Sequence, residues 1–134
     1  MTKEQLIEEC IKAGDSYLDY PFDATTAVIK VKDNGKMFAF LDYANAEKIK
    51  KSCGEDTPVE DGDLFINLKC NPELSGIFRK KYAAVVPGYY CSKAHMNWNS
   101  VIVGKDVPLE ELKKMIAHSY ELVALKRKTG KAKK

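Results

Sequence analysis

Four side chains in the second half of the chain could hold a nucleic acid, namely Lys69, Lys93, His95 and Trp98. Lysine binds phosphate, and an aromatic ring can stack on a base for about 1–3 kcal/mol per base. Lys93 and His95 belong to a polar turn that we expect to be exposed. Trp98 has a second interpretation, because a tryptophan can also close a small core with its polar tip outward.

Lys69 shares one predicted strand face with Phe65 and Asn67, since side chains alternate along a strand. On an open sheet face this trio could bind phosphate and stack a base. The favoured alternative is that Asn67 bonds to neighbouring backbone, where most side-chain hydrogen bonds go, and that Lys69 lies at the rim.

His118 and Cys70 are the residues around which an enzyme site would have to form. Histidine can act as an acid or base at neutral pH. No sequence pattern pairs His118 with a serine, cysteine or carboxylate, and its neighbour Ser119 lies outside any nucleophile motif. We therefore expect a structural histidine and a protein that is not an enzyme.

The four cysteines give little reason to predict a metal. They contain no CxxC pair, and reduced thiols are the default inside cells. Cys91 and His95 together would supply only two of the four ligands of a zinc site. No metal and no cofactor are predicted.

The positive charge is concentrated at the C-terminus. Six of the 22 basic residues lie in the last nine positions, which contain no acid, so residues 1–125 carry 16 basic against 19 acidic groups, a net charge of −3. Lys126, Arg127 and Lys128 could contact phosphates, or could simply complement the negative end of a helix dipole. We expect one domain over residues 1–125 and a basic, partly disordered tail over 126–134.

Composition indicates a globular cytoplasmic protein. The apolar fraction is 45% and the charged fraction 31%. No apolar segment approaches the roughly 20 residues that cross a bilayer, and the first residues lack the features of a signal peptide.

The first half of the chain predicts one helix and three strands that would position these side chains. Thr2 and Gln5 form a capping box at the start of the helix. The strands cover Thr26–Lys32, Met37–Leu41 and Leu64–Lys69, and Asn34-Gly35 between the first two is a hairpin signal. The second strand is apolar on both faces, which predicts a central position.

The second half predicts a helix, two strands and a long final helix. Asn71-Pro72 starts the first of these helices, with Leu74, Ile77 and Phe78 as its apolar stripe. The strands cover Tyr89–Cys91 and Trp98–Val103. The final helix follows Pro108, and its apolar face comprises Leu109, Leu112, Ile116, Tyr120 and Val123. Strands joined by short turns predict an antiparallel sheet, with the terminal helices covering one face in an α+β sandwich.

Five segments carry a resemblance to a known family. They are Lys36-Met37-Phe38-Ala39, Asn67-Leu68-Lys69-Cys70, Pro87-Gly88-Tyr89, Trp98-Asn99-Ser100-Val101 and His118-Ser119-Tyr120-Glu121. Through them the chain resembles the MmcQ/YjbR family from the first helix to about Ala124. Members usually have a histidine directly before Trp-Asn, whereas Met96 and Asn97 separate His95 from Trp98 here, so this turn is longer.

The resemblance implies a fold like that of CyaY, the bacterial frataxin homologue: two terminal helices against an antiparallel sheet. It also implies DNA binding through a "double wing", whose tip would be the turn 93–97. Frataxins have acidic ridges that bind iron; Glu4, Glu8 and Glu9 are the only acids on the first helix, so iron is not predicted.

Two functions from different classes follow. The first is a cytosolic non-enzymatic binding protein whose partner is DNA, using Lys69, Lys93, His95, Trp98 and the basic tail. The alternative is a protein–protein or small-ligand adaptor that uses the open sheet face, with Phe65, Tyr89 and Trp98 as apolar anchors.

Overall fold

The computed structural model describes the backbone of residues 1–87 and 98–132 and the side chains of residues 1–87 and 98–124. The helices in these ranges are α1 (Lys3–Lys12), α2 (Ala46–Cys53), α3 (Pro72–Lys81) and α4 (Leu109–Ala132). The strands are β1 (Ser16–Asp19), β2 (Ala27–Val31), β3 (Met37–Tyr43), β4 (Leu64–Lys69), β5 (Val85–Pro87) and β6 (Trp98–Ile102).

The six strands form one sheet in the order β1-β2-β3-β4-β6-β5, and every neighbouring pair is antiparallel. The predicted α+β class with an antiparallel sheet is therefore confirmed. β3 lies between β2 and β4, as its two apolar faces indicated. The strand β4 is buried along most of its length, so both faces of the sheet centre are covered.

Helices α1 and α4 pack against each other and against the same strands, α1 on β1–β3 and α4 on β2–β4. The capping box at the start of α1 is present, since the Gln5 N–H donates to Thr2 Oγ1 at 3.1 Å and the Thr2 N–H donates to Gln5 Oε1 at 2.8 Å. Along α4 the buried stripe contains Leu112, Ile116 and Val123, and Leu109 at its start is exposed. These two helices supply most of the cover of one sheet face.

A register shift between β2 and β3 redirects one aromatic side chain. Ile29 pairs with Ala39, but Lys30 pairs with Met37, so Phe38 is the additional residue of a β-bulge. Phe38 consequently joins the main core, where its ring meets the Tyr120 ring edge-on at 5.2 Å between centroids. Met37 stays with the second, smaller cluster.

That second cluster lies on the opposite face of the sheet and contains Val28, Phe40 and Trp98. The Phe40 and Trp98 rings are 5.9 Å apart between centroids. Phe22, which is 59% exposed, packs edge-on against Phe40 at 6.1 Å. This face of the sheet therefore has a buried apolar cluster next to the sheet, and the side chain that covers Phe40 is itself exposed to solvent.

Three elements are additional to those outlined from the sequence above. Ser16–Asp19 forms the edge strand β1, and Asn45 caps the eight-residue helix α2. A short strand, β5, covers Val85–Pro87. The predicted strand Tyr89–Cys91 lies outside the described residues.

The predicted apolar stripe of α3 is wrong for Leu74 and Ile77, which are 36% and 56% exposed, and confirmed for Phe78, which packs on the core. Ser75 is buried in their place. Ser75 lies about 100° from Leu74 around the helix, so the buried face is turned from the predicted one towards Ser75. Contacts of Ser75 with β6, described below, decide this rotation.

The β2–β3 hairpin has a four-residue loop rather than a two-residue turn. The Val31 N–H donates to Lys36 O at 2.8 Å and the Gly35 N–H donates to Val31 O at 2.8 Å. Gly35 has a φ of 69°, the left-handed conformation that glycine adopts without strain. In the ranges that the structure describes, no helix is long and apolar enough to cross a membrane.

Candidate functional site

Ser119 of α4 links the two central strands where their ladder ends. Ala39 of β3 pairs with Leu68 of β4, so Phe38 and Lys69 would form the next pair. Instead, the Lys69 N–H donates to Ser119 Oγ at 2.9 Å, and the Ser119 hydroxyl donates to the Phe38 carbonyl at 2.5 Å. A fully buried side-chain hydroxyl thus replaces a missing backbone bond.

His118 supports the next turn of the same junction. The Asn71 N–H, at the start of α3, donates to His118 Nε2 at 3.2 Å. The Asn71 side chain in turn accepts the Glu73 N–H at 2.9 Å, which confirms its predicted role as the cap of α3. His118 is therefore a structural acceptor for the β4–α3 connection.

A second polar cluster joins α3 to β6. Asn99 Oδ1 accepts from Ser75 Oγ at 2.9 Å and from Arg79 Nε at 2.7 Å. Arg79 also donates to the Trp98 carbonyl at 3.4 Å. Ser75 and Asn99 are buried, so these bonds satisfy groups that water cannot reach.

A third buried pair crosses from β4 to β6, where Asn67 and Ser100 are register partners and the Ser100 hydroxyl donates to Asn67 Oδ1. Both residues are fully buried. Asn67 therefore contributes to the interior of the sheet rather than to an open binding face.

Between these clusters lies a small recess in which Cys70 and His118 meet. It is lined by Leu68, Lys69, Cys70, Phe78, Asn99, Val101, Met115 and His118. Burial raises the pKa of the Cys70 thiol, and Arg79 only partly opposes this. A raised pKa keeps the Cys70 thiol in its protonated form, which is the less nucleophilic one.

Lys69 and Trp98 are brought together as the sequence hypothesis requires, since they are register partners on β4 and β6. Trp98, however, is only 5% exposed and packs against Val28 and Phe40. Its ring cannot stack a base, and the alternative that it closes a core is confirmed. Lys69 is half-buried beside it.

Phe65 is also unavailable as an apolar anchor, because it is 2% exposed. Lys93, His95 and Tyr89 lie outside the described residues. Lys126, Arg127 and Lys128 belong to α4, of which the structure describes the backbone to residue 132 and the side chains only to residue 124.

Three exposed lysines that the sequence did not single out, Lys12, Lys32 and Lys36, belong to segments that hydrogen-bond to α4 at Tyr120 or Val123. The loop carrying Lys32 and Lys36 is attached to α4 through Asn34, whose amide donates to the Val123 carbonyl at 3.3 Å. We call these three lysines and the basic segment 126–134 the basic end.

The segment that follows α1 is also hydrogen-bonded to α4, at Tyr120, three residues before Val123. The Asp15 N–H donates to the Tyr120 hydroxyl at 3.1 Å, and the Lys32 N–H donates to the Asp15 carbonyl at 3.0 Å. Lys12 ends α1, three residues before Asp15. No periodicity in the sequence relates positions 12, 32, 36 and 126, so only the packing could reveal this grouping.

Metal binding finds no support in the described ranges, where no three His, Cys, Asp or Glu side chains are grouped as a metal site requires. The described cysteines Cys10, Cys53 and Cys70 are free thiols. Cys91 and His95, the pair considered for zinc, fall outside these ranges.

The polar junctions have a common origin in the sequence. Ser119, Asn99 and Asn67 all belong to segments that carried the resemblance to a family, and a comparison with known families tests that resemblance. The sequence model of the YjbR family matches residues 13–122. The chain belongs to the YjbR family.

Relatives of known structure share this fold. A Pseudomonas syringae protein matches with a TM-score of 0.70 and 28% identity, covering 91% of this chain and 98% of its own. Deinococcus radiodurans protein DR2400, with the domain DUF419, matches with a TM-score of 0.67 and 29% identity, covering 91% and 78%. Both likenesses extend over nearly all of the present fold.

A curated relative is the uncharacterized protein YbdF of Escherichia coli O157:H7, 37% identical over 62 residues. The alignment spans 46% of this chain and about half, 49%, of YbdF. These YjbR relatives therefore support the fold and family, and their names state no activity.

Proposed function

We propose that this YjbR protein is a non-enzymatic nucleic-acid-binding protein that contacts phosphates through its basic end. The observation that carries the proposal is the attachment of the β2–β3 loop to α4 at Val123. It holds Lys32 and Lys36 next to the helix turn that precedes Lys126. Trp98 takes no part as a stacking ring, because it is buried.

The geometry of α4 supports an elongated binding surface. The helix continues to Ala132, and its rise of about 1.5 Å per residue places Lys126 about 4.5 Å beyond Val123 along the axis. A basic segment that continues the helix beyond the loop carrying Lys32 and Lys36 would let the protein contact neighbouring phosphates of one strand. Contacts of this kind position a protein without reading sequence.

Local acids limit the attraction but do not cancel it. Asp15 and Asp33 are exposed at the same end, and Lys12 lies 3.7 Å from Glu9. The basic segment 126–134 adds six positive charges without an acid. Because the remainder of the chain has a net charge of −3, binding should depend on this end and weaken steeply with salt.

The test is fluorescence anisotropy of labelled duplex and single-stranded DNA over a salt series. The double variant Lys32→Gln/Lys36→Gln should weaken binding and reduce the slope of log K against log salt by about 0.9 for each duplex phosphate that the variant no longer neutralises. Replacing Lys126, Arg127 and Lys128 by glutamine should reduce both further.

A matched control is Lys48→Gln/Lys51→Gln, which removes the same charge from exposed positions of α2. This control should leave the slope unchanged. Absence of binding at low salt would refute the proposal, and an equal effect of the control would show that total charge matters rather than the basic end.

A second candidate function, a protein or small-ligand adaptor, is favoured by the open face around Phe22. Phe22 is 59% exposed and rests on Phe40, and Tyr17 on the same side of the sheet is 38% exposed. Exposed aromatic side chains are frequent anchors of protein interfaces.

The adaptor is tested by a photoreactive amino acid placed at position 22 and, as a control, at Leu74 of α3. A discrete cross-linked product from position 22 that is absent from position 74 would favour it. Equal or no cross-linking at both positions would argue against it. The frataxin-like fold also remains a prediction, supported by the two terminal helices against an antiparallel sheet.

A further inference from the structure

β1 is the first strand in the sheet order, and within residues 1–87 and 98–132 no strand pairs with its outer backbone groups. The Lys32 N–H bonds to the Asp15 carbonyl, so Asp15, Tyr17 and Asp19 direct their backbone groups towards β2. By alternation, Ser16 and Leu18 direct theirs away from the sheet. Such an edge is a template for a further strand.

Apolar side chains flank this edge on both sides of the sheet. Leu18 is 38% exposed, Ile11 of α1 40% and Tyr20 44%, and Tyr17 on the other side is 38% exposed. The strand has no lysine, no proline and no bulge to discourage pairing. The opposite edge differs, because β5 ends in Pro87, which lacks an N–H group.

We propose that β1 pairs antiparallel with β1 of a second copy of this chain, giving a weak symmetric dimer with a continuous sheet. With a two-fold axis at Leu18, the Leu18 N–H of each copy donates to the Leu18 carbonyl of the other. Ser16 then faces Tyr20 of the second copy. Since the Ser16 hydroxyl bonds to the Ile11 carbonyl at 3.4 Å, the second copy's Tyr20 ring comes beside Ile11.

Charge selects this register over its neighbour. A two-fold axis at Tyr17 would place Asp15 opposite Asp19 of the second copy, and like charges directly opposite each other destabilise a sheet. With the axis at Leu18, Asp19 faces Tyr17 instead. The intramolecular pair of Asp19 with Lys30, at 2.8 Å, is retained.

The buried area explains why the dimer is weak. The four flanking side chains are each about two-fifths exposed, so the two copies together cover on the order of 600 Å² of them, taking roughly 200 Å² per large side chain. This area lies below the roughly 1,000–1,200 Å² at which specific interfaces begin, so the backbone bonds between the two β1 strands must supply part of the affinity and the association should be weak.

Sedimentation velocity of the full chain, without nucleic acid, tests the proposal from about 1 μM to about 1 mM, a range suited to weak association. The weight-average mass should rise from one copy towards two. Leu18→Lys should keep the mass at one copy at every concentration, and Tyr20→Ser should shift the association at least several-fold. Leu74→Lys, a substitution of similar exposure on α3, should leave it unchanged.

Circular dichroism checks that each variant is folded. If Leu18→Lys does not fold, Tyr20→Ser decides, because Tyr20 lies beyond the end of β1. A wild-type protein that stays monomeric up to the highest concentration overturns the proposal. So does a dimer that survives both edge substitutions or that Leu74→Lys disrupts.

Discussion

Replacing Ser119 with alanine tests how the central strands are held at the end of their ladder. The substitution removes a fully buried hydroxyl and leaves the Lys69 N–H and the Phe38 carbonyl without the partner they share. The two groups belong to adjacent strands, and the hydroxyl lies between them. The cost therefore depends on whether the strands can close on each other.

The expected loss follows from the two groups. A buried donor or acceptor left unpaired costs about 1–3 kcal/mol, so the two groups together should lower the free energy of unfolding of Ser119→Ala by about 2–6 kcal/mol. Alanine has a higher helix propensity than serine, which offsets a few tenths of a kcal/mol of this loss. Against a typical total of about 5–15 kcal/mol, the difference is readily measured.

Urea unfolding followed by circular dichroism provides the assay, with Ser52→Ala as the matched control. Ser52 lies on α2 and is exposed, so this change has the same effect on helix propensity without removing a buried bond. The control should stay within about 0.5 kcal/mol of the wild type, and the slope with urea should be the same for all three proteins. A loss of less than about 1 kcal/mol for Ser119→Ala relative to the control would refute the reasoning.

Two further predictions concern α1 and its surroundings. A Cβ at Gly14 would lie 2.2 Å from the Tyr120 ring, so Gly14→Ala should lower the free energy of unfolding in urea by about 1–3 kcal/mol. Gly76 on α3 has open space around it, so Gly76→Ala should raise that free energy by about 0.5–1 kcal/mol. Equal effects of the two substitutions would contradict this reasoning. Burial, aided by Glu9, raises the pKa of Cys10 from its ordinary 9.0 to about 12. The unfolded chain therefore releases this proton first, so stability should fall as pH rises from about 9 to 12. Cys10→Val should make that fall shallower, and an equally steep fall in the variant would argue against it.

Much of the fold could be predicted because local patterns and packing agree. The capping box at Thr2 and Gln5, the Asn71-Pro72 helix start and the central position of the Met37–Leu41 strand are confirmed. Apolar periodicity predicted the wrong buried face for α3, where Leu74 is exposed and Ser75 is buried. It also failed at β1, whose four residues are too short and too exposed to show alternation.

The candidate site was less predictable than the fold. Lys69 and Trp98, both proposed as nucleic-acid ligands, are register partners, but the burial of Trp98 depends on Val28 and Phe40, which come from strands far away in the sequence. The basic residues 12, 32 and 36 gave no signal, since their grouping arises from hydrogen bonds of Asp15 and Asn34 to α4.

The sequence by itself determined the class, the family and the order of most elements, because caps, turns and apolar alternation act between residues close along the chain. Only the tertiary structure decided what the polar signature residues do. His118, Ser119, Asn99 and Asn67 could have formed a binding face, but each is used to satisfy backbone or side-chain groups within the fold. A buried polar group must be paired inside a protein, and its partner is chosen by packing rather than by sequence distance.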